Sequence, residues 1–334
     1  MLYYKALALQ STCYAINTIS ITNGQQHILE HIHRVGKQIQ ASKRFIGPDL
    51  KLVVLPEYFA TGYPMGESIQ EWQAKACVRN GDAAYQLMAK YAVDNNVYIS
   101  GNWYELDAHF AQLYFQTSFI INDQGETILR YRRLNSMYAP TPHDVLDEYI
   151  KVYGVHSIFP VVSTPLGKLA CIASEEIMYP EIARCLVLNG AQVLLHSSSE
   201  VGSTLATPKH IGKLARATEN MAYVISANSA SILGTPVPVA STDGASLVVQ
   251  YEGTILAQAA YGESMVANAT IDIAALNHAR QRPGMANYLS RQRLELYAPT
   301  YSGTIYPANN LHTVTPTRDH FIATQQQVIN KQYT

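Results

Sequence analysis

The chain has 334 residues, with 24 lysines and arginines against 25 aspartates and glutamates, so its formal net charge is −1. This balance excludes an electrostatic nucleic-acid binder, which would be clearly basic. Only 15% of the residues are charged, against about a quarter in typical soluble domains, while 48% are apolar. A monomer of this size would need more charge to cover its surface. We therefore expect a homo-oligomer, a dimer or larger, with extensive subunit interfaces.

The cysteines and the N-terminal segment indicate where the protein works. The four cysteines are widely spaced and show none of the Cys/His spacings of a zinc site. The first residues lack the charged region and cleavage site of a signal peptide, and no apolar run approaches the ~18–20 residues that span a bilayer. We expect a cytoplasmic protein with reduced thiols, no membrane partner, and no metal or other cofactor.

Short apolar strands alternate with amphipathic helices through most of the chain. In the first half, apolar residues from Ile28 to Ile39 recur at offsets of 0, 4, 7 and 11, which predicts one helix. A second helix is predicted over residues 84–92, and strands over residues 7–10, 52–55, 97–100, 114–122 and 128–133. Residues 136–153 contain Pro140 and Pro142 and have little periodicity, so they are predicted to form a loop.

The second half continues this alternation. Strands are predicted over residues 169–173, 193–195, 223–227, 246–250 and 254–257, and helices over residues 180–190 and 211–221. Beyond about Ala275 the sequence is rich in Arg, Tyr, Asn and Pro and has no clear period. We therefore predict one domain over residues 1–275 and an extended tail over residues 276–334.

Three polar residues follow apolar strands, at positions where open α/β sheets place their ligand sites. Glu57 follows a fully apolar strand, and a carboxylate there is costly to bury unless it is paired or functional. Arg133 closes another strand. Ser174 lies on a strand-to-helix turn, where a side chain is exposed and backbone N–H groups can stabilise an oxyanion. Taken singly, such residues are more often a solvated glutamate, a surface arginine and a helix cap.

The surrounding residues are more informative, because they match one family in order and spacing over roughly residues 7–273. The motifs are Leu55-Pro56-Glu57-Tyr58 with Gly62-Tyr63-Pro64, Asn122-Asp123-Gln124-Gly125-Glu126 leading to Tyr131-Arg132-Arg133, Pro165-Leu166-Gly167, Tyr179-Pro180-Glu181, Arg216-Ala217-x-Glu219-Asn220 with Tyr223-Val224 and Asn228, and Gly244-Ala245-Ser246. Each motif alone is weak, whereas the ordered set is strong. The sequence resembles the nitrilase superfamily of carbon–nitrogen hydrolases.

This resemblance implies a fold and an assembly. The fold is α/β, a four-layer αββα sandwich, whose subunits pair so that the sheets of a dimer stack on each other. The segment after Ala275 looks like the C-terminal arm by which aliphatic-amidase-like members embrace a partner. We therefore expect residues 276–334 to pack on a neighbouring subunit.

The resemblance also implies an active site of Glu, Lys and Cys. In the family the Glu takes the thiol proton, the thiolate attacks an amide or nitrile carbon, and the Lys stabilises the developing anion. By position, Glu57 matches the Glu, Arg133 replaces the Lys and Ser174 replaces the Cys. A second Glu, often found eight residues after the Lys, falls at Thr141. Three of these four positions depart from the family pattern.

The departures argue against thiol hydrolysis. A carboxylate with an ordinary pKa of about 4.3 is too weak a base to activate a serine hydroxyl unaided, and the planar fork of an arginine needs more room than an ammonium. The leading prediction is a protein that lacks thiol-dependent hydrolysis and binds or alters a small amide-, amidine- or carboxylate-bearing molecule. We expect further ligand contacts from Tyr58, Thr141, Glu175, Glu176 and His196.

Two alternatives remain open. An active amidase-type hydrolase would use Ser174 as its nucleophile, helped by His196 or Glu176. A purely structural oligomer subunit would need no polar pocket. The charged residues Glu57 and Arg133, which could form an ion pair, argue weakly against this structural role. Cys171 lies close to Ser174 in sequence but is predicted to be a buried core thiol on the opposite face of its strand. Only the hydrolase predicts Ser174 within hydrogen-bond reach of a base.

Overall fold

Two β-sheets pack face to face, and each carries helices on its outer face, in the computed structural model of the chain. The structure describes residues 3–201, 207–242, 244–311, 314 and 316–333. The strands are β1 Tyr3–Ala8, β2 Cys13–Tyr14, β3 Leu50–Val54, β4 Val78–Arg79, β5 Tyr98–Leu106, β6 Tyr114–Ile121, β7 Thr127–Arg132, β8 Val162–Thr164, β9 Gly167–Ala173, β10 Val193–Ser198, β11 Tyr223–Asn228, β12 Ile232–Leu233, β13 Leu247–Val249, β14 Ile255–Gln258 and β15 Asn268–Asp272. The α-helices are α1 Ile21–Ile46, α2 Ile69–Ala76, α3 Ala83–Asn95, α4 Leu146–Tyr153, α5 Pro180–Leu188, α6 Pro208–Asn220, α7 Ile273–Gln281, α8 Leu294–Tyr301 and α9 Arg318–Tyr333.

Both sheets have a parallel centre with antiparallel edges. The first has the order β15–β1–β3–β5–β6–β7, with β1, β3 and β5 parallel and the short β4 also parallel to β5. The second has the order β14–β13–β11–β10–β9–β8, with β9, β10 and β11 parallel. The carboxyl ends of parallel strands lie together, which is where ligand sites form in such sheets.

Three hydrophobic cores separate four layers of secondary structure. The core between the sheets contains Leu52 and Val54 of β3, packed against residues of β9, β10 and β11. Val53 and Leu55 face the other way, into the core under α1 and α3. Helices α5 and α6 cover the outer face of the second sheet. A strand buried on both faces reads as a continuous apolar run, so the pattern of β3 and the predicted αββα sandwich are both confirmed.

Two predicted segments differ from the structure. The first strand spans Tyr3–Ala8, and Gln10 forms only an isolated bridge with Ser264. The predicted loop over residues 136–153 contains a 3-10 turn at Pro142–Val145 followed by α4. Pro142 occupies the first position of that turn, where proline is compatible with helix because its missing N–H would be unpaired anyway. Pro142 therefore begins a helical segment, although the two prolines were predicted to exclude one.

The C-terminal segment is helical, whereas an extended chain was predicted. Helix α7 crosses Ala275, and α8 and α9 follow. Leu311 and Phe321 are buried in the core under the first sheet, so this part of the segment packs on its own chain. A domain boundary near residue 275 and packing on a neighbouring subunit stay predictions. Within the described residues, no helix combines the length and the apolar character needed to cross a membrane.

Candidate active site

The predicted catalytic residues come from both sheets and meet at one edge. Glu57 follows β3, Arg133 follows β7 and Ser174 follows β9. The Glu57 backbone N–H donates to the carbonyl oxygen of Ser198, at the end of β10, over 3.1 Å. This hydrogen bond links the two sheets at the site, so the side chains that the sequence places on separate strand ends line one cavity.

Ser174 has a backbone conformation that is unusual for a residue with a side chain. Its φ is 51°, in the left-handed region, and it opens the 3-10 turn Ser174–Met178 directly after β9. Such a conformation costs roughly 1–3 kcal/mol and is often retained at functional sites. The Ser174 hydroxyl accepts a hydrogen bond from Lys209 Nζ at 3.2 Å. A strained strand-to-helix turn is one way to expose a reactive or ligand-contacting hydroxyl.

The Arg133 guanidinium is occupied by neighbouring groups. Nη1 donates to Gln116 Oε1 at 2.6 Å and to Glu57 Oε1 at 3.4 Å. Nη2 forms an ion pair with Glu175, and Nε donates to the carbonyl of Asn135 at 2.5 Å. Burial opposes the charged form, but the surrounding acidic groups outweigh it and raise the pKa of Arg133 above its ordinary value. Arg133 is therefore a permanent cation that holds two carboxylates.

Glu57 is held just as firmly. It is 1% exposed. Its Oε1 accepts from Gln116 Nε2 at 2.5 Å, in addition to Arg133, and its Oε2 accepts from the Ser199 backbone N–H at 3.1 Å. Among the described residues, the hydrogen-bond partner of the Ser174 hydroxyl is Lys209 and not Glu57. The structure thus offers no direct hydrogen bond along which Glu57 could take the serine proton.

A cavity of about 790 Å³ adjoins these side chains. Five predicted site residues line it, namely Glu57, Tyr58, Arg133, Ser174 and Glu175. Aromatic rings form part of the wall, with Tyr58 stacked on Tyr104 at 5.4 Å between centroids. The other described lining residues are Tyr63, Pro64, Met65, Gly66, Glu67, Ser68, Ile69, Gln70, Tyr114, Gln116, Ser136, Met137, Tyr138, Ala139, Ser199, Val201, Pro316, Thr317 and Arg318. An apolar cavity of this size with a few converging polar groups is suited to a small molecule.

Two predicted ligand contacts lie outside the cavity lining and stabilise the surrounding loops. The Thr141 hydroxyl donates to Asp144 at 2.8 Å within the 3-10 turn. Glu176 Oε1 accepts from the backbone N–H groups of Leu134 and Asn135 at 2.6 and 3.0 Å. Both residues use their polar groups on internal partners in this structure, and their contact with a ligand stays a prediction.

His196 also lies outside the lining, beneath Ser174. Its Nε2 is 2.8 Å from the Ser174 carbonyl oxygen, and its Nδ1 is 2.8 Å from the Ser226 hydroxyl. Burial, aided by the charge of Lys213, lowers the pKa of His196 well below its ordinary value, so the ring is neutral. A neutral imidazole has one donor and one acceptor, and both are in use here. His196 therefore holds the backbone of Ser174 in place. A general base for Ser174 would have to contact the hydroxyl group, and His196 contacts the carbonyl oxygen.

Cys171 is the buried thiol that its position on the strand predicted. It is fully buried in the core between the sheets, with Sγ 3.7 Å from the Ser100 hydroxyl. Burial raises the pKa of Cys171 to about 12. A thiol in such surroundings is inert.

Three parts of the site were not predicted from the sequence. These are Lys209, Gln116 and the C-terminal residues 316–318. Lys209 is the second residue of α6 and shows no pattern that separates it from a solvated lysine. Gln116 had a usable signal, since it is a polar residue inside the fully buried strand β6, and buried polar groups need partners. Residues 316–318 have no local signal, because their place in the cavity wall depends on the path of the whole segment.

Comparisons with known proteins show the family and the fold. The family model described as carbon-nitrogen hydrolase matches residues 7–281. The omega-amidase NIT3 of Saccharomyces cerevisiae is 26% identical over 222 residues, which cover 66% of this chain and 74% of that protein. A formamidase of Bacillus thuringiensis is 28% identical over 243 residues, covering 72% of this chain and 67% of the formamidase.

Solved structures show the same fold. Nit3 of Saccharomyces cerevisiae, a member of branch 10 of the nitrilase superfamily, aligns with a TM-score of 0.68 at 22% identity over 87% of this chain and 97% of that one. An amidase variant from Nesterenkonia sp. AN1, which shows Michael addition of acrylamide at its active-site cysteine, aligns with a TM-score of 0.58 at 19% identity over 90% and 100% of the two chains. Since the family model covers most of the sequence, the chain belongs to the carbon-nitrogen hydrolase family.

Proposed function

We propose that the protein binds a small amide-, amidine- or carboxylate-bearing molecule in the 790 Å³ cavity and does not hydrolyse it by thiol chemistry. The observation that carries the proposal is the network around Arg133, which holds both Glu57 and Glu175. A carboxylate held in this way is not free to move a proton. The polar groups of the site are better suited to recognition of a ligand than to activation of a nucleophile.

The residue types support the same conclusion. A thiol has an ordinary pKa of about 8.5, so a nearby carboxylate can help to form its thiolate. A serine hydroxyl is far less acidic and needs a well-placed general base. Ser174 stands where the family has its cysteine, and its hydroxyl accepts a hydrogen bond from Lys209. A cation that donates to Oγ stabilises the oxygen without removing its proton.

Thermal-shift measurements test the binding proposal, because a ligand that binds only the native state raises its stability. Formamide, propionamide, acetamidine and propionate are suitable probes, and formamide is included because some relatives are named formamidases. We expect at least one of them to raise the melting temperature by a few degrees. Met137→Trp, which adds bulk to the cavity lining, should reduce the shift. Met285→Trp at an 84% exposed position is the matched control. No shift with any probe contradicts the proposal.

A serine-dependent amidase is the second candidate, and the 3.2 Å contact between Lys209 Nζ and Ser174 Oγ favours it. Ser–Lys pairs serve as nucleophile and base in other hydrolases. A lysine acts as a base only when neutral, so activity of this kind should rise with pH. An acyl adduct on Ser174, detected by mass spectrometry after incubation with p-nitrophenyl acetate and lost in Lys209→Met, would establish this reaction. Absence of the adduct supports the binding role.

We also propose that the protein forms a homo-oligomer and that it works in the cytoplasm. Helix α8 supports the assembly, because Leu294 and Leu296 are 43% and 68% exposed although they are apolar. The free thiols of all four cysteines, which lie in the described part of the chain, fit a reducing compartment.

Leu296→Glu is expected to lower the oligomer order in light scattering, because a charge in a buried subunit interface is unfavourable. The subunit itself should keep its secondary structure, since the side chain is exposed within one chain. Gln40→Glu, which adds the same charge at an exposed polar position of α1, is the matched control and should leave the oligomer unchanged. A native protein that is monomeric at micromolar concentration would contradict the oligomer.

A further inference from the structure

A second cavity, of about 650 Å³, lies at the other end of the second sheet. Its lining includes Met221, which caps the C-terminal end of α6 just before β11, and Tyr251 in the turn between β13 and β14. Both residues lie beyond the amino end of β11, whereas Ser174 and Ser198 lie at the carboxyl ends of β9 and β10. The six residues of β11 span about 20 Å. The second cavity is therefore remote from the one that adjoins Ser174.

Hydrogen bonds fix the wall of the second cavity where α7 ends. The Asn287 side chain donates to the carbonyl oxygens of Arg280 and Arg282 at 2.8 and 3.1 Å, so the chain after α7 folds back against the helix end. Arg280 donates in turn to the carbonyl oxygen of Met221 at 2.9 Å. Carbonyl groups at the C-terminal ends of helices carry partial negative charge, which disfavours an anion. At this cavity several of those carbonyl groups already have internal donors.

Arg282 is the one permanent cation among the described lining residues. Its side chain is exposed and, within the described part of the chain, forms no hydrogen bond or ion pair. His278 lies four residues earlier on α7 and also lines the cavity. Residues at this spacing are neighbours on a helix surface, and an imidazole donates a hydrogen bond in either protonation state. The guanidinium and the imidazole therefore offer donors to an anion from the same side.

Aromatic and apolar side chains supply much of the remaining wall. The Tyr251 ring packs edge-on against Tyr223, with 5.5 Å between the ring centroids. A second tyrosine, Tyr288, also lines the cavity, as do Met221 and Ala279. Tyrosine rings and thioether sulfur atoms make favourable contacts with an aromatic ring. A volume of this size, with apolar walls and a few polar groups, is suited to a small molecule.

We infer that the second cavity binds a planar aromatic molecule that carries a single carboxylate. The carboxylate pairs with Arg282 and accepts a hydrogen bond from His278, while the ring lies against Tyr251 and Met221. A monoanion fits better than a phosphate, because one arginine balances one charge and Glu252, also in the lining, repels a second. This site is independent of the proposed function, since the two cavities share none of their described lining residues.

Titration calorimetry on the native protein tests the ligand class at pH 8. The probe 2-naphthoate carries the ring and the carboxylate, 2-naphthalenemethanol is its neutral counterpart, and 2-naphthyl phosphate is a dianion. We expect 2-naphthoate to bind about fivefold more tightly than the alcohol, the size expected of one solvent-accessible ion pair, and more tightly than the phosphate. Decahydro-2-naphthoate, which keeps the carboxylate without the aromatic ring, should bind more weakly.

Each comparison has an outcome that contradicts the inference. Equal binding of 2-naphthoate and the alcohol, or tighter binding of the phosphate, overturns the carboxylate ligand. Equal binding of the saturated acid overturns the aromatic one. If 2-naphthoate does not bind at all, the inference fails, whereas the proposed function of the first cavity is unaffected.

Variants locate the bound probe. Arg282→Gln should weaken 2-naphthoate about fivefold and leave the alcohol unchanged, and Arg282→Lys should keep part of the preference. Arg44→Gln, which makes the same charge change in the last turn of α1, is the matched control and should have no effect. Met137→Trp, in the lining of the 790 Å³ cavity, should also leave 2-naphthoate binding unchanged. Full binding by Arg282→Gln, or loss of binding in Met137→Trp, overturns the inference.

Discussion

Ser174→Cys is expected to create a reactive thiol that hydrolyses simple amides poorly. Lys209 Nζ lies 3.2 Å from the Ser174 oxygen, and a cation at such a distance favours a thiolate over a thiol. Glu57, however, stays tied to Gln116 and Arg133, so it cannot move protons as the family mechanism requires. Alkylation by iodoacetamide, followed by mass spectrometry, measures the reactivity of the thiol. Ammonia release from propionamide measures turnover.

Adding Arg133→Lys to Ser174→Cys is expected to be necessary for measurable hydrolysis. A lysine cannot span the contacts that the arginine fork makes with Gln116 and Glu175, so Glu57 would be partly released and a compact ammonium would face the developing anion. We expect the double variant to exceed either single variant at least about a hundredfold in ammonia release, because residues that act as a catalytic unit are strongly non-additive. Arg133→Lys alone is the matched control. Equal activity of Ser174→Cys and the double variant would contradict the role given to Arg133.

Much of the fold could be predicted because its signals are local. The apolar spacing from Ile28 to Ile39 lies within α1, and those positions are fully buried. The apolar run of β3 likewise reflects burial on both faces. Helix α4 was missed although Val145, Tyr149 and Val152 have helical spacing, because the preceding prolines suggested a loop. Helix α9 was missed because its sequence has no clear apolar stripe, and the burial of Phe321 depends on distant residues.

The strand-end residues of the site were predictable in the same way. Glu57 and Ser174 each follow an apolar strand, so their positions depend on local sequence alone. Their hydrogen-bond partners did not follow from sequence, because those partners are far apart in the chain. Gln116 is 59 residues from Glu57, and Lys209 is 35 residues from Ser174. These distant contacts decide whether the carboxylate is free and which group meets the hydroxyl.

The polar residues near the motifs show why sequence does not identify ligand contacts. Thr141, Glu176 and His196 are predicted ligand contacts, and in this structure each forms hydrogen bonds with internal groups. A buried polar side chain must be hydrogen-bonded, but the sequence does not say whether the partner is a ligand or the protein. His196 illustrates this point, since its partner Ser226 lies 30 residues away on the neighbouring strand β11. Burial alone therefore does not identify a ligand contact.

Glu176 connects the loop after β7 to the turn that holds Ser174. Its carboxylate is fully buried and has four donors, the backbone N–H groups of Ala173, Leu134 and Asn135 and the Tyr131 hydroxyl. Burial is the dominant influence on this group and raises the pKa of Glu176 from 4.5 to about 7, against the opposing effect of the hydrogen bonds and of Arg133. The folded protein therefore binds a proton at Glu176 more tightly than the unfolded chain does.

Glu176→Ala is expected to lower the free energy of unfolding by about 4 kcal/mol at pH 5, because the neutral carboxyl there accepts from three backbone N–H groups and donates to the Tyr131 hydroxyl, and each of these four buried hydrogen bonds is worth about 1 kcal/mol or more. The stabilisation from the raised pKa is complete below pH 4.5 and is lost as the pH rises through about 7. The difference in the free energy of unfolding between the native protein and Glu176→Ala should therefore decrease by about 2 kcal/mol from pH 5 to pH 8. Glu176→Gln, which keeps the side-chain size but does not titrate, should show the same pH-dependent change relative to the native protein and a smaller loss at pH 5. Urea unfolding at both pH values measures these differences. If the free energies of unfolding of the native protein and Glu176→Gln differ by the same amount at both pH values, Glu176 does not titrate near pH 7. If Glu176→Ala lowers the free energy of unfolding by less than about 1 kcal/mol, the carboxyl group does not hold the two loops together.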